Sequence, residues 1–191
     1  PDERQSWTWK GHEGTPLDVS VYSRYPLVRL ELNGKIIAEK KCSAETMLTA
    51  RFKLPYTPGT LKAFGIEDGI VKDSIELQTA GAAHHVRLIP ELPAIPASRN
   101  ELVYIRVEIL DENGTIVPDP VNLTFSVEGE AELIAVGNAD PKDMRSFSTP
   151  ECTTYRGSCL VILRPTGKTG TARLSAASGG LPVVTTNIPL Y

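Results

Sequence analysis

Val28-Arg29-Leu30-Glu31-Leu32-Asn33-Gly34-Lys35 combines a strand pattern with a tight-turn signal. Valine and leucine occupy every second position, with arginine and glutamate between them, and this period of two is typical of an antiparallel strand with one buried and one solvated face. Asn33-Gly34 predicts a two-residue hairpin turn, because a type I′ turn requires positive φ at both central residues. The stretch therefore predicts a β-hairpin.

The rest of the first half repeats this pattern, and the fifteen glycines and fifteen prolines of the chain punctuate it at short intervals. Short alternating or β-branched segments between turn residues are typical of strands. Glu67-Asp68-Gly69 predicts a second tight turn, and Ser43–Ala50 predicts a single helical turn at most. The predicted strands are Ser6–Trp9, Leu17–Ser23, Val28–Leu32, Lys35–Lys40, Thr46–Leu54, Gly59–Ile66 and Ile70–Gln78.

The second half is also predicted to be built of strands. Within Leu102–Leu110 valine and isoleucine alternate with polar residues or tyrosine, and Asp111-Glu112-Asn113-Gly114 predicts the turn that follows. The irregular stretch 137–157 is interpreted as an ordered crossover between sheets, with a functional loop as the alternative. The predicted strands are His85–Ile89, Glu101–Leu110, Leu123–Glu128, Ala131–Val136, Ser158–Arg164, Gly170–Ala177 and Val183–Ile188.

The length of 191 residues accommodates two domains of about 80 to 110 residues each. The small, featureless segment Thr79-Ala80-Gly81-Ala82-Ala83 is the predicted boundary. Strands at roughly ten-residue spacing are typical of immunoglobulin-like sandwiches. The sequence therefore predicts an all-β chain of two tandem immunoglobulin-like β-sandwiches, residues 1–82 and residues 83–191.

Composition narrows the classes of partner. The formal net charge is -3, and no run of lysine and arginine is present, so we expect no nucleic-acid binding. No apolar stretch approaches the roughly 20 residues of a transmembrane helix, so we expect no membrane insertion. A chain that starts at Pro1, without methionine, is expected to be a fragment, and localisation cannot be read from such a start.

Three cysteines, Cys42, Cys152 and Cys159, are too few and too odd in number for a disulfide framework. If Arg156-Gly157 forms a two-residue hairpin turn, Cys159 faces Thr154 and Cys152 lies diagonally off. A Cys152–Cys159 bridge is then possible but geometrically unfavoured. Buried free thiols are the preferred interpretation.

Several longer words of the sequence, in a fixed order, resemble a known family. They are Ser6-Trp7-Thr8-Trp9-Lys10-Gly11-His12-Glu13-Gly14, Val21-Tyr22-Ser23, the hairpin stretch from Val28 to Lys35, Leu54–Ala63, Thr79-Ala80-Gly81, Asp111–Gly114, Gly137-Asn138-Ala139-Asp140-Pro141, and Tyr155-Arg156-Gly157 before Leu160-Val161-Ile162. This order resembles the region after the catalytic barrel in bacterial β-galactosidases of glycoside hydrolase family 2. The resemblance covers nearly the whole chain.

The resemblance implies a larger parent enzyme with a jelly-roll domain, a sandwich domain, a (β/α)8 barrel and then these two sandwiches. The two catalytic glutamates of such an enzyme lie in the barrel, and no residue here matches them. The implied partner is the catalytic barrel of the same polypeptide. The resemblance also implies a periplasmic or extracellular parent that hydrolyses O-glycosyl bonds, with sugar specificity set mainly by the barrel.

The residues themselves predict no catalytic, metal or cofactor site. A retaining glycosidase needs two carboxylates about 5 Å apart, whereas the 23 aspartates and glutamates fall on predicted turns and solvated strand faces. His12, His84 and His85 lack metal-ligand spacing to cysteine or carboxylate. Asp111–Gly114 has a faint resemblance to a calcium loop, but without the distal glutamate, so a plain turn is preferred.

Trp7, Trp9, His12 and Glu13 are the candidate site residues. In an extended segment Trp7 and Trp9 share one face. Packing of this face on the sandwich or on the missing barrel is the preferred interpretation, and stacking against a sugar ring is the alternative. An exposed tryptophan pair would support such a contact, and full burial in their own sandwich would remove that support.

Three functions follow as hypotheses. The preferred one is a structural region that supports the barrel. The second is a carbohydrate-binding module that holds polysaccharide near the catalytic domain and raises its effective concentration. The third is a surface adhesin-like or invasin-like module, which rests on the look of the second domain alone.

Overall fold

The computed structural model describes residues 3–191, and over this range the chain is all-β with fourteen strands in two immunoglobulin-like sandwiches. Residues up to Ala80 form one compact unit, and Gly81–Tyr191 form the other. The division lies within the segment Thr79–Ala83 that the sequence singled out. Among residues 3–191 there is no helix with the length and apolar character that a membrane span requires.

The first sandwich packs a four-stranded antiparallel sheet, in the order β3-β2-β5-β6, against the two-stranded sheet β1-β4. Apolar side chains of both sheets meet in one core, which includes Val28, Leu30, Phe52 and Leu54. The strands are β1 (Pro16–Tyr22), β2 (Leu27–Leu32), β3 (Lys35–Lys41), β4 (Thr49–Pro55), β5 (Thr60–Glu67) and β6 (Ile70–Gln78). A single 3-10 turn, Ala44–Thr46, precedes β4, as predicted.

The tight turns confirm the glycine pattern. Asn33 and Gly34 have φ of 51° and 75° and join β2 to β3. Asp68 and Gly69, with φ of 52° and 73°, join β5 to β6 in the same way. Left-handed φ at two successive residues matches the twist of a hairpin, so these pairs determine which strands are neighbours.

One predicted strand is wrong. Ser6–Trp9 joins no sheet, and its backbone groups bond instead to side chains. The Trp9 amide donates to the Tyr56 hydroxyl at 3.2 Å, and the Trp7 carbonyl accepts from the Thr79 hydroxyl at 2.6 Å. These tertiary partners replace a strand ladder, which local alternation cannot reveal.

The second sandwich packs two four-stranded antiparallel sheets, ordered β10-β12-β8-β7 and β11-β9-β13-β14. Its strands are β7 (His85–Pro90), β8 (Val103–Leu110), β9 (Asn122–Gly129), β10 (Ala131–Gly137), β11 (Glu151–Thr153), β12 (Ser158–Pro165), β13 (Gly170–Ser178) and β14 (Leu181–Leu190). The inward residues of β8, such as Ile105, Val107 and Ile109, are fully buried. The alternation noted in Leu102–Leu110 is therefore the core face of a central strand.

The irregular stretch after β10 is a crossover between the two sheets, as predicted. β10 pairs with β12 in one sheet, whereas the three-residue strand β11 pairs with β9 in the other. The sequence did not predict β11, because three residues carry too little periodicity to identify a strand.

The three cysteines are free and buried, which confirms the preferred interpretation. Arg156 and Gly157 do form a left-handed turn, with φ of 54° and 80°. The residues that flank this turn, Tyr155 and Ser158, form an isolated antiparallel bridge that does not continue as a ladder. The expected hairpin, in which Cys159 faces Thr154, is therefore wrong. Cys152 and Cys159 instead lie on strands of opposing sheets.

Candidate functional site

The candidate segment Trp7–Gly14 is held against the end of β4. Its path turns sharply, since the His12 amide donates to the Trp9 carbonyl at 3.0 Å and the Thr15 amide to the His12 carbonyl at 2.9 Å. Gly14 donates to the Tyr56 carbonyl at 2.8 Å, and Tyr56 donates back to Thr15 at 2.9 Å. The segment is therefore part of the first sandwich.

Trp7 belongs to the core of this sandwich. Its side chain is only 2% exposed, and its ring meets the ring of Tyr56 edge-on, with centroids 5.2 Å apart. The indole Nε1 donates to the Thr57 carbonyl at 3.1 Å, which satisfies its one polar group. Trp7 presents no surface to a sugar or to another domain.

The backbone around Trp7 joins the two ends of the first sandwich. The Thr79 hydroxyl donates to the Trp7 carbonyl at 2.6 Å and accepts from the Gly59 amide at 3.0 Å. The Ala80 amide donates to the Thr8 hydroxyl at 2.9 Å. We call these contacts of Trp7 and Thr8 with Thr79 and Ala80 the clasp. The clasp provides hydrogen-bond partners for backbone groups that are not bonded within a β-sheet.

Trp9 is half-buried and packs against the same core. The Arg4 guanidinium lies 5.6 Å from its ring centroid, and the His12 ring lies 6.5 Å away, edge-on. Its Nε1 donates to the Ser6 carbonyl at 3.2 Å. A sugar that stacked on this indole would compete with Arg4 for the π-face.

His12 and Glu13 are exposed, and one carboxylate oxygen of Glu13 accepts from the Gly11 amide at 3.3 Å. The expectation of one shared Trp7–Trp9 face fails, because Trp7 turns into the core while Trp9 reaches the surface. Of the four candidate residues, the outward ones are thus Trp9, His12 and Glu13. Glu13 is the sole carboxylate between Trp7 and Gly14, so the segment lacks the pair that glycoside hydrolysis requires.

An open groove of about 640 Å³ in the first sandwich was not foreseen. It lies between the end of β1 and the strands β5 and β6, where the two-stranded sheet is too narrow to cover the four-stranded one. The Tyr25 ring lies against Gly65, where a Cβ would approach it to 2.3 Å, and the Arg24 guanidinium lies 5.2 Å from the ring centroid. The groove lining is Val21, Tyr22, Ser23, Arg24, Tyr25, Val28, Leu48, Ala63, Phe64, Gly65, Asp73, Ser74 and Ile75.

The buried carboxylate of Asp111 is engaged within the second sandwich. Asp111 is buried, and its carboxylate accepts from the backbone amides of Gly81, Asn113 and Thr115 at 2.8, 2.9 and 2.8 Å. Burial opposes ionisation of Asp111, but these amides outweigh it and hold its pKa below the ordinary value. The carboxylate therefore organises the turn at residues 111–115.

Glu108 is a buried carboxylate between two arginines. It pairs with Arg87 at 2.5 Å and with Arg106 at 3.1 Å. A buried charge requires such partners, so this cluster has a structural explanation. Within the described residues, no three or more histidine, cysteine or carboxylate side chains lie together as metal ligands would.

Two family models match the chain. Residues 86–187 match the glycoside hydrolase family 2 C-terminal domain 5, and residues 14–71 match a domain of unknown function, DUF4982. The first match lies in the second sandwich and the second match in the first sandwich.

Similar whole proteins are much longer. The chain is 33% identical over 177 residues to the protein named beta-galactosidase BoGH2A from Bacteroides ovatus, a match that covers 92% of this chain and 20% of that protein. A solved glycosyl hydrolase family 2 member from Bacteroides cellulosilyticus superimposes with a TM-score of 0.96 at 33% identity, over 100% of this chain and 25% of its own. A β-glycosidase from Bacteroides vulgatus gives 0.87 at 30% identity, over 97% and 24%. The chain spans about a fifth to a quarter of these relatives.

Proposed function

We propose, from the premise that this chain belongs to glycoside hydrolase family 2, that it is the non-catalytic C-terminal region of a larger β-galactosidase-type enzyme and supports its barrel structurally. The observation that carries the proposal is the coverage: 92% of this chain aligns with only 20% of a protein named a β-galactosidase. The parent would act on O-glycosyl bonds in the periplasm or outside the cell, and cell fractionation tests that location.

Two features of the described residues support a structural role. Trp7 is buried in the core, and its carbonyl takes part in the clasp. The buried carboxylates Glu108 and Asp111 are neutralised or hydrogen-bonded within their own sandwich. Trp7, Glu108 and Asp111 therefore provide no pair of available carboxylates on opposite sides of a cleft, as glycoside hydrolysis needs.

Deletion of these residues from the parent enzyme tests the proposal. We expect the truncated enzyme to melt at a lower temperature and to lose soluble yield, while the catalytic pKa values of its pH–rate profile stay in place. Removal of Gly81–Tyr191 alone is the matched intermediate and should give a smaller effect. Equal melting temperatures and equal oligomeric states for all three proteins would contradict a supporting role.

The isolated chain should not hydrolyse an aryl galactoside. The two carboxylates that such hydrolysis requires would come from the barrel. Release of the coloured aryl group is followed with the parent enzyme as positive control and buffer as blank. A rate for this chain near that of the parent enzyme would overturn its non-catalytic assignment.

Carbohydrate binding is the second candidate, and the partly exposed Trp9 beside exposed His12 favours it. Calorimetric titration with galactan tests it, with Trp9→Ala as the variant and Tyr22→Ala, in the groove, as a second. Heat that disappears in Trp9→Ala would support binding at this segment. Absence of heat at millimolar galactan would exclude it. The adhesin-like hypothesis has no observation among the described residues that favours it.

A further inference from the structure

Cys152 and Cys159 approach each other from opposite layers of the second sandwich. Cys152 lies on β11, opposite Leu123 of β9, and Cys159 lies on β12, opposite Val107 of β8. Between them the chain crosses from one sheet to the other through residues 154–157. The two side chains therefore meet in the interior from facing sheets, where a bond between them would link the layers.

The two thiols are already in contact. The Cys159 thiol donates to the Cys152 sulfur, the Cys152 thiol donates to the Thr153 carbonyl at 3.4 Å, and the side chains are 3% and 5% exposed. Contact between sulfurs is the starting geometry from which small side-chain rotations reach a disulfide. Cys42, in the first sandwich, donates instead to the Ser23 carbonyl at 3.1 Å and has no second thiol in its unit.

The surroundings of the two sulfurs shift the pKa values of their thiols in opposite directions. The hydrogen bond from Cys159 lowers the pKa of Cys152, burial opposes this, and the positive charge of Arg145 lowers the pKa further. The same hydrogen bond, together with burial, raises the pKa of Cys159. Cys152 is thus the more nucleophilic thiol, and Cys159 is placed to resolve what forms on it.

The crossover segment 138–150 leads directly into β11, and its residues Arg145 and Asp143 lie near enough to Cys152 to act on that thiol electrostatically. None of its residues is buried, and Met144 and Phe147 are 93% and 65% exposed. Hydrogen bonds join the segment to neighbouring strands: the Val136 amide donates to the Phe147 carbonyl at 2.8 Å, the Phe125 amide to the Pro150 carbonyl at 2.8 Å, and Nδ2 of Asn138 to the Thr153 carbonyl at 2.7 Å. Local opening of a segment with no buried side chain sacrifices little core packing.

We propose that Cys152 and Cys159 form a reversible disulfide that latches the two sheets of the second sandwich together. The oxidant is a disulfide, either a small molecule such as oxidised glutathione or a protein. The Cys152 thiolate attacks it, forms a mixed disulfide and expels one thiolate. The Cys159 sulfur then attacks the Cys152 sulfur, and its proton goes to the second departing thiolate. One disulfide is reduced to two thiols as one forms, so the electrons balance.

The test uses the 191-residue chain under native conditions. After incubation with oxidised glutathione, we expect titratable thiols, counted after denaturation in acid, to fall from three to one. Trypsin cleaves after Arg145, Arg156 and Lys168 but not between Arg164 and Pro165, so the bridge should appear as peptides 146–156 and 157–168 joined until reduction. The melting temperature of the second unit should rise, because a cross-link restricts its unfolded chain.

The matched variants are Cys42→Ser, which should retain the bridge, and Cys159→Ser, which should stop at a glutathione adduct on Cys152. Three thiols remaining in the wild-type chain would overturn the proposal, and so would a persistent glutathione adduct on wild-type Cys152. An unchanged melting temperature after bridging would overturn the latch. The wild-type thiol count keeps the proposal testable if Cys159→Ser fails to fold. None of these outcomes depends on the activity of the parent enzyme.

Discussion

Trp7 and Trp9 are two residues apart, yet the first sandwich uses them differently. Trp7 fills the core beside Tyr56, whereas Trp9 lies half-buried beneath Arg4. An alternating pattern would place both on one face, but the segment is not a strand. In the clasp, the Thr79 hydroxyl holds the Trp7 carbonyl while the Trp7 side chain lies in the core. This hydrogen bond joins residues that are 72 positions apart in the sequence.

Trp7→Ala should therefore destabilise the first sandwich far more than Trp9→Ala. Removal of a fully buried tryptophan costs about 3 to 5 kcal/mol through lost apolar burial and the cavity left behind. Trp9→Ala should cost about 1 kcal/mol, in the range of a partly exposed contact. Urea denaturation followed by circular dichroism gives both values. Similar losses for the two variants would contradict the different burial of their rings.

Asp111 should make the second sandwich sensitive to acid. Its folded pKa lies below the ordinary value, so the unfolded chain binds the proton more readily. The stabilisation is fully present above the unfolded pKa of about 3.9 and is lost as the pH falls through the lower folded value. Between pH 6 and pH 2 the melting temperature should therefore fall more steeply with decreasing pH for the wild-type chain than for Asp111→Asn. Parallel curves would mean that the carboxylate contributes nothing.

At the scale of elements, turns with left-handed backbone govern how strands are connected. Gly157 has φ of 80°, and a Cβ there would lie 2.4 Å from the Val117 carbonyl oxygen. Gly114, in the same unit, has φ of 83°, but a Cβ there meets nothing within 4 Å. Comparison of alanine substitutions at these two glycines therefore distinguishes the cost of a left-handed backbone from the cost of a steric clash.

Gly157→Ala should cost about 3 kcal/mol or more, whereas Gly114→Ala should cost about 1 kcal/mol. Both substitutions place alanine in a left-handed conformation, but only the first also forces backbone atoms apart. Thermal unfolding of the second sandwich measures the difference. Equal losses would show that the backbone near Val117 relaxes without cost.

At the scale of the whole molecule, the division between Ala80 and Gly81 predicts two independently stable units. A chain ending at Ala80 retains the clasp and should unfold cooperatively. A chain ending at Lys72 loses most of β6 and the clasp, so it should be unfolded. Dispersed amide resonances in the first and their absence in the second would be the expected spectra. Loss of dispersion in both would mean that the first sandwich depends on the second.

The sequence by itself determined the all-β class, most strand positions and the left-handed turns, because alternation and asparagine-glycine or aspartate-glycine pairs act over a few residues. That Glu13 is the sole carboxylate in Trp7–Gly14 can also be read directly from the order of the residues. Tertiary structure decided the burial of Trp7, the groove beside β1, the short strand β11 and the contact of Cys152 with Cys159. These features join residues from different sheets or distant segments, and local pattern contains no information on which layer a side chain will meet.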